Sequence, residues 1–117
     1  RKFTLRNNIW TGRGTGLFTY RKEISPMDWD YDNLYVKKGP AAVINYHTKY
    51  RTLKELYKAR GYLEHGINAD PDFSAPDQGN YFLLRSSPNI DRGTIIPGIN
   101  RYRYRGKAPD LGAYERP

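Results

Sequence analysis

Residues Tyr81 to Glu115 read YFLLRSSPNIDRGTIIPGINRYRYRGKAPDLGAYE. An apolar run, Tyr81-Phe82-Leu83-Leu84, opens this stretch between turn residues. The remainder is punctuated by Ser87-Pro88, Asp91-Arg92-Gly93, Pro97-Gly98 and Pro109-Asp110-Leu111-Gly112. Proline fixes φ, and glycine supplies the positive φ that many turns require. A long helix is therefore excluded here. These residues can instead form a laced, strand-poor cap that lies across the end of something larger.

Upstream, Phe3-Thr4-Leu5-Arg6-Asn7 alternates apolar and polar, the pattern of a half-buried strand, and Ile9-Trp10 extends it. The glycines of Gly12-Arg13-Gly14-Thr15-Gly16 then break it. Leu17-Phe18-Thr19-Tyr20 is a second expected strand and Trp29 to Val36 a third. Asn8-Ile9-Trp10 and Asn33-Leu34-Tyr35 repeat an Asn-aliphatic-aromatic pattern at an offset of 25 residues. Periods of that size suit one coil of a solenoid. An asparagine at the same point of each coil could stack its amide on the next at the ~4.8 Å strand spacing. One helix is expected between these segments and the tail. Thr52-Leu53-Lys54-Glu55 is a capping box, Leu53, Leu56, Tyr57 and Arg60 share a face, and Gly61 can close the C-terminus. At about three turns the helix is too short to stand alone and must dock.

Pro88-Asn89-Ile90-Asp91-Arg92-Gly93, followed by Pro109-Asp110-Leu111-Gly112-Ala113-Tyr114-Glu115, resembles the closing segment of secreted right-handed parallel β-helix (pectin-lyase-like) proteins. In those chains a SPAIDAG turn precedes a terminal PDIGAYE. Phe3 to Ile9 is similar to their F-x-I-x-N-N-I rung, and Asn68 to Phe73 to the aDP-x-F segment before the tail. The resemblance implies an all-β fold: right-handed parallel β-helix coils over 1–50, a short helical and loop insertion over 51–79, and an irregular C-terminal cap over 80–117. Together these would be one domain, the C-terminal part of a β-helix. A start at Arg1, with no initiator Met and no apolar signal region, suits a processed or excised piece of a longer chain.

Composition sets the outer bounds. A chain of 117 residues has room for one domain and one modest core. At 38% hydrophobic residues and a mean hydropathy of -0.87, no segment is apolar for long enough to span a bilayer. With no cysteine there is no disulfide framework, thiolate nucleophile or cysteine zinc cluster. The net charge of +8 is concentrated at the two ends. Residues 1–25 hold six bases and one acid, and residues 80–117 hold seven bases and three acids, so a polyanion should meet an end. Eleven tyrosines and two tryptophans offer flat amphipathic surface for stacking on sugars or for packing inside.

Some expected groupings carry chemistry. Asp28, Asp30 and Asp32 lie at a spacing of two, which on a strand puts three carboxylates on one face. A calcium ion would relieve their repulsion, although the loop is not an EF-hand; otherwise they form a solvated acidic face. His47 and His65 are the only histidines, and each is expected as an ordinary surface residue. His47 has Tyr46, Lys49, Tyr50 and Arg51 around it, a mixture suited to acidic sugars. Gly12 to Gly16 is not a dinucleotide fingerprint, and Ser87 lies in no nucleophile elbow. Arg101-Tyr102-Arg103-Tyr104-Arg105-Gly106-Lys107 is the most basic run. As a strand it would put cations on one face and rings on the other, to grip a polyanion. The favoured alternative is an edge segment with tyrosines packed inward and arginines guarding the edge.

The resemblance implies a secreted, extracellular and bacterial protein associated with carbohydrate. It would bind, or help degrade, an extended polysaccharide, of which the acidic kind better suits a basic chain. Tyr20, Arg21, Trp29, Tyr31 and His47 are the candidate sugar contacts. If the protein is an enzyme it would be a polysaccharide lyase or glycoside hydrolase, and its catalytic residues can lie outside this chain. Another class of function is a structural assembly or adhesion element that stacks through open coil ends onto the upstream remainder or onto further copies of itself. Nucleic acid is the disfavoured partner, since no known module matches.

Overall fold

A computed structural model describes residues 3–13, 17–19, 27–37, 43–45 and 47–117. Two lengths of chain run side by side in its first part. The first carries β1 (Phe3–Leu5), β2 (Ile9–Gly12) and β3 (Leu17–Thr19); the second carries β4 (Met27–Trp29), β5 (Asn33–Val36) and β6 (Val43–Asn45). β1 pairs with β4, β2 with β5 and β3 with β6, all in parallel. Each length bends where a residue enters the left-handed region, Asn7 at φ 61° and Tyr31 at φ 56°. The bends face one another, for the Asn7 amide donates to the Tyr31 carbonyl at 2.9 Å. Asparagine tolerates that conformation readily, whereas a tyrosine there is uncommon and needs its surroundings to hold it. The two long strands expected over residues 3–10 and 29–36 are each broken at these bends.

The expected parallel β-helix is not what the described residues form. Their strands make four separate short sheets, three of two strands and one of three, in a mixture of parallel and antiparallel pairing. No sheet is closed and none continues as a solenoid. The reason lies in the chain after β6. A third coil would need another parallel strand on β4, β5 and β6, but β6 turns straight back into antiparallel β7 (Thr48–Tyr50). The next residues become helix α1 (Leu53–Arg60), and among the described residues a single parallel bridge, Asn33 to Ile67, touches β5 from its far side. The fold is mixed, with an α-helix among its packed elements, rather than all-β.

The repeat also has a different register. Ile9 lies opposite Asn33 and Trp10 opposite Leu34, a displacement of 24 residues in place of 25. A slip of one residue exchanges the faces of a strand. Asn8 and Asn33 consequently do not stack. Asn8 Nδ2 turns to Asp32, and Asn33 Nδ2 donates to Asn89 Oδ1 and the Ala69 carbonyl, both at 2.8 Å.

The helix forms for the expected reasons. Thr52 is the N-cap, and its Oγ1 accepts from the Glu55 amide at 3.1 Å. Glu55 reaches back one residue further than the usual box, accepting from the Arg51 amide at 2.8 Å. Gly61, at φ 72°, ends the helix by donating to the Tyr57 carbonyl. Leu56 alone on the helix is fully buried. It joins Trp29, Leu34 and Leu63 in a small core, with Leu5, Met27, Tyr50, Leu53 and Tyr62 against it. Tyr57, expected on the buried face, is exposed.

Beyond the helix, β8 (Phe73–Ala75) and β9 (Asn80–Leu83) make an antiparallel hairpin, and residues 84–117 contain no strand. As the turn residues require, this tail is irregular. It is held by side chains instead. Among the described residues the buried side chains include many polar ones, Asn7, Asp32, Asn33, Ser87, Asn89 and Asp110, beside the apolar Trp29, Leu34, Leu56, Leu63, Leu83 and Leu111. A polar group survives burial only with partners, and among the described residues every such atom has one. Asn89 links β5 to the tail, holding Asn33 on one side and the Ser87 hydroxyl and Pro71 carbonyl on the other. Asn7 exchanges a pair of 2.8 Å hydrogen bonds with the backbone of Thr94. Gly93 fits beneath Asn7 because it has no side chain: a methyl there would lie 2.8 Å from the Pro109 carbonyl oxygen and 2.9 Å from the Asn7 amide group.

Candidate functional site

β2, the β8–β9 hairpin and the end of the tail converge on an open cleft of about 560 Å³. Ile9, Trp10 and Thr11 form one wall, Phe73, Tyr81 and Leu83 another, and Leu111 to Tyr114 the third. The surface of the cleft is mainly apolar. Trp10, Tyr81 and Tyr114 keep 39%, 48% and 46% of their surface in solvent. The rings are positioned by contacts at their backs. Phe73 meets Tyr81 edge to face at 5.2 Å, and Phe82 backs Tyr114 at 4.5 Å. The Trp10 indole N–H is anchored at 2.8 Å on Asp32. Gly112, at φ 95°, brings the tail against β2, where a methyl would strike Ile9 Cδ1 at 2.8 Å.

The three aspartates expected on one face are separated by the bend at Tyr31, and each has its own partner. Asp28 forms an ion pair with Arg6 at 2.6 Å. Asp32 has no exposed surface and accepts from the Asn8 amide, the Asn8 side chain, Trp10 Nε1 and, at 2.6 Å, Trp29 Nε1. Asp30 faces the opposite way, toward His65. The calcium cage expected from Asp28, Asp30 and Asp32 is therefore not assembled, because a strand was assumed where the chain turns.

Asp30 and His65 form a second ion pair. Asp30 Oδ2 lies 2.7 Å from His65 Nδ1, and Oδ1 accepts from the main-chain amides of His65 and Tyr31 at 2.7 and 2.8 Å. Burial alone would raise the Asp30 pKa, but these hydrogen bonds outweigh it and hold the carboxyl below its ordinary value. The hydrogen bond that the protonated imidazole donates to Asp30 raises the His65 pKa against some desolvation, and the charges of Asp30 and Glu64 add to the rise. Tyr31 lies flat on the imidazole, with ring centroids 4.6 Å apart and planes 10° from parallel. Asp30, Glu64 and His65 bring two carboxylates and an imidazole nitrogen within 4.8 Å of one another. This is a donor set that a divalent ion could use only by competing with the existing hydrogen bonds.

The expected sugar contacts are scattered. Tyr20 and Arg21 lie outside the described residues. Trp29 is only 3% exposed, with its ring in the core 6.0 Å from Tyr62, so it presents no face to a ligand. Tyr31 is half-buried and stacked on His65. His47 is exposed, in the turn of the β6–β7 hairpin. Sequence reasoning missed the cleft rings because Trp10, Phe73, Tyr81 and Tyr114 are far apart in the chain. Only the apolar run at Tyr81 and the terminal Tyr114 motif gave any signal. It also missed the Asp30–His65 pair, whose members are 35 residues apart.

Residues 101–107 are neither a strand nor an edge with its tyrosines packed inward. They form a turning loop in which Tyr102 is 90% exposed beneath the Arg101 guanidinium, at 5.8 Å from its ring centre. Tyr102 to Arg105 and Glu115 to Pro117 surround a second hollow of about 370 Å³. Glu115 turns inward, accepting from the Arg105 amide at 3.2 Å and the Asp110 amide at 3.0 Å. Burial raises its pKa most, the two amides oppose that, and the nearby Asp110 and Asp91 charges add to the rise.

No protein-family model, curated protein or solved structure matches this chain.

Proposed function

We propose that this chain is a secreted, carbohydrate-associated protein that binds an extended polysaccharide in the cleft between β2, the β8–β9 hairpin and Leu111–Tyr114. The observation that carries the proposal is the group of three half-exposed rings, Trp10, Tyr81 and Tyr114, around an open apolar floor. Sugar rings have apolar C–H faces and polar edges. Such a ligand stacks on aromatic faces while its hydroxyls stay at a polar rim, here Thr11 and the two phenols. The openness of the cleft suits a long chain passing through. The likeness of the tail to closing segments of secreted polysaccharide-active proteins points the same way. No helix among the described residues is long and apolar enough to cross a membrane.

The test is affinity electrophoresis and calorimetry against neutral and acidic polysaccharides. Tyr81→Ala combined with Tyr114→Ala should lower affinity for a bound glycan roughly tenfold, at about 0.5–1.5 kcal/mol per stacked ring. Trp10 is left intact because its indole also satisfies Asp32. Affinity unchanged in the double variant, or no binding to any glycan, would end the proposal.

A second function, assembly through strand edges, has an observation of its own. Among the described residues β1 and β2 each pair on one side only, and Phe3 is 64% exposed. Such edges recruit further strands. Concentration-dependent self-association in sedimentation, without glycan binding, is its signature.

A further inference from the structure

Building on glycan binding in the aromatic cleft, we propose that the loop Arg101–Lys107 and Arg116 form a cationic subsite for carboxylate or sulfate groups, so that the preferred ligand is an anionic polysaccharide. The charge balance at the tail is the starting observation. Arg103, Arg105 and Arg116 line the hollow, Lys107 follows in the same loop, and three carboxylates, Asp91, Asp110 and Glu115, accept hydrogen bonds from the main chain of this region. None of these cations pairs with any of these acids. The ion pairs among the described residues are Arg6–Asp28 and His65–Asp30.

The acids are occupied elsewhere. Asp91 Oδ1 accepts from the amides of Lys107 and Ala108, and Asp110 accepts from those of Asp91 and Arg116. Glu115 accepts from Arg105 and Asp110. Main-chain donors thus hold the carboxylate oxygens, and the loop's own arginines are exposed. The same hydrogen bonds fix the backbone that carries the cations. An unpaired, backbone-ordered group of guanidinium ions lacks only an external anion, and the planar fork of arginine fits carboxylate or sulfate.

Two features favour a glycan over a nucleic acid. The segment that lines the cleft, Leu111 to Tyr114, runs on along the chain into residues that line the hollow, Glu115 to Pro117. One extended ligand can therefore lay apolar sugar faces in the first and acidic groups in the second. A single-stranded nucleic acid stacks successive bases on several open rings beside its phosphates. In the hollow one ring is open: Tyr102 is 90% exposed with Arg101 over one face, whereas Tyr104 is half-buried.

The experiment uses the full chain, the triple variant Arg103→Gln/Arg105→Gln/Arg116→Gln and the cleft variant Tyr81→Ala/Tyr114→Ala, each checked by circular dichroism. The probes are polygalacturonate, heparin, a neutral glucan and oligo-dT, at salt from about 50 to 200 mM. The wild type should hold one of the acidic glycans at least tenfold more tightly than the glucan at low salt. The triple variant should lose roughly that factor and flatten the salt dependence, while glucan binding stays unchanged. Equal binding of acidic and neutral glycans by the wild type would overturn the subsite and leave the cleft standing. So would a triple variant that binds acidic glycan like the wild type. Tighter retention of oligo-dT than of either acidic glycan would overturn it in favour of nucleic acid. Acidic-glycan binding that depends on the arginines but not on Tyr81 and Tyr114 would break the cleft proposal and retain the subsite.

Discussion

Between Asp28 and Asp32 each carboxylate meets a side-chain donor: Arg6 for Asp28, His65 for Asp30, and the indoles of Trp10 and Trp29 for Asp32. Between Asp91 and Glu115 the carboxylates meet main-chain amides instead. The first region claims its carboxylates with side chains and leaves little for a ligand to read. The second uses its acids to shape a loop and keeps its cations unpaired. A residue's charge type therefore says little about whether it can contact a ligand; the partner that claims it decides.

The largest expected effect breaks the first region. Asp32→Ala leaves two indole N–H groups and the Asn8 donors without their acceptor. Each buried donor left unsatisfied costs about 1–3 kcal/mol, so the loss of this shared acceptor is expected to cost on the order of 3–5 kcal/mol. Urea unfolding should show most of the stability gone, and a loss below about 1 kcal/mol would mean that Asp32 does not hold the indoles in place. The corresponding change in the tail is smaller. Gly93→Ala forces a methyl against the Pro109 carbonyl and Asn7, an overpacking expected to cost about 1–3 kcal/mol. By contrast, the triple arginine variant should unfold within about 0.5 kcal/mol of the wild type, since Arg103 and Arg105 are exposed, Arg116 is half-buried, and none of the three is in an ion pair among the described residues. If that variant unfolds early, those arginines are structural and the contrast between the regions collapses.

Local signals in the sequence carried further than long-range ones. The capping box at Thr52 and the stop at Gly61 were legible, because both are decided within one turn of helix. The irregular tail was legible from its prolines and glycines. The parallel pairing of residues 3–12 with 27–36 was half legible. The Asn-aliphatic-aromatic pattern pointed to neighbours, but aligned them one residue out, because no local rule distinguishes an offset of 25 from one of 24. The bends at Asn7 and Tyr31 decided more than the strands did. Tyrosine gives no hint of a left-handed conformation, so one assumed strand placed three carboxylates together that the chain directs apart. The β-helix expectation failed for a related reason: nothing in residues 43–50 distinguishes a strand that continues a coil from one that turns back as a hairpin. The cleft was least legible, being assembled from four distant aromatic residues by contacts in the tail.

A pH-dependent effect is expected of the Asp30–His65 pair, whose imidazole solvent still reaches. The His65 pKa is raised in the folded state, so its contribution to stability is complete below its unfolded value near 6.5 and is lost as pH rises through the folded value. The Asp30 pKa is lowered, so its contribution is complete above its unfolded value near 3.8 and is lost as pH falls through the folded value. The pair is therefore worth most between about pH 4 and 6.5. His65→Ala should lower stability most in that window, by no more than about 1 kcal/mol because the imidazole is half exposed. The difference should shrink toward pH 8, where the Tyr31 stacking and the main-chain hydrogen bond to Asp30 remain. Glu64 also faces the imidazole, and Glu64→Gln should narrow the window slightly from its alkaline side. The triple arginine variant gives the matching control in the tail. Guanidinium does not titrate here, so its difference from the wild type should be flat across the same range. A pH-independent cost for His65→Ala would show that Asp30 holds the ring by position alone.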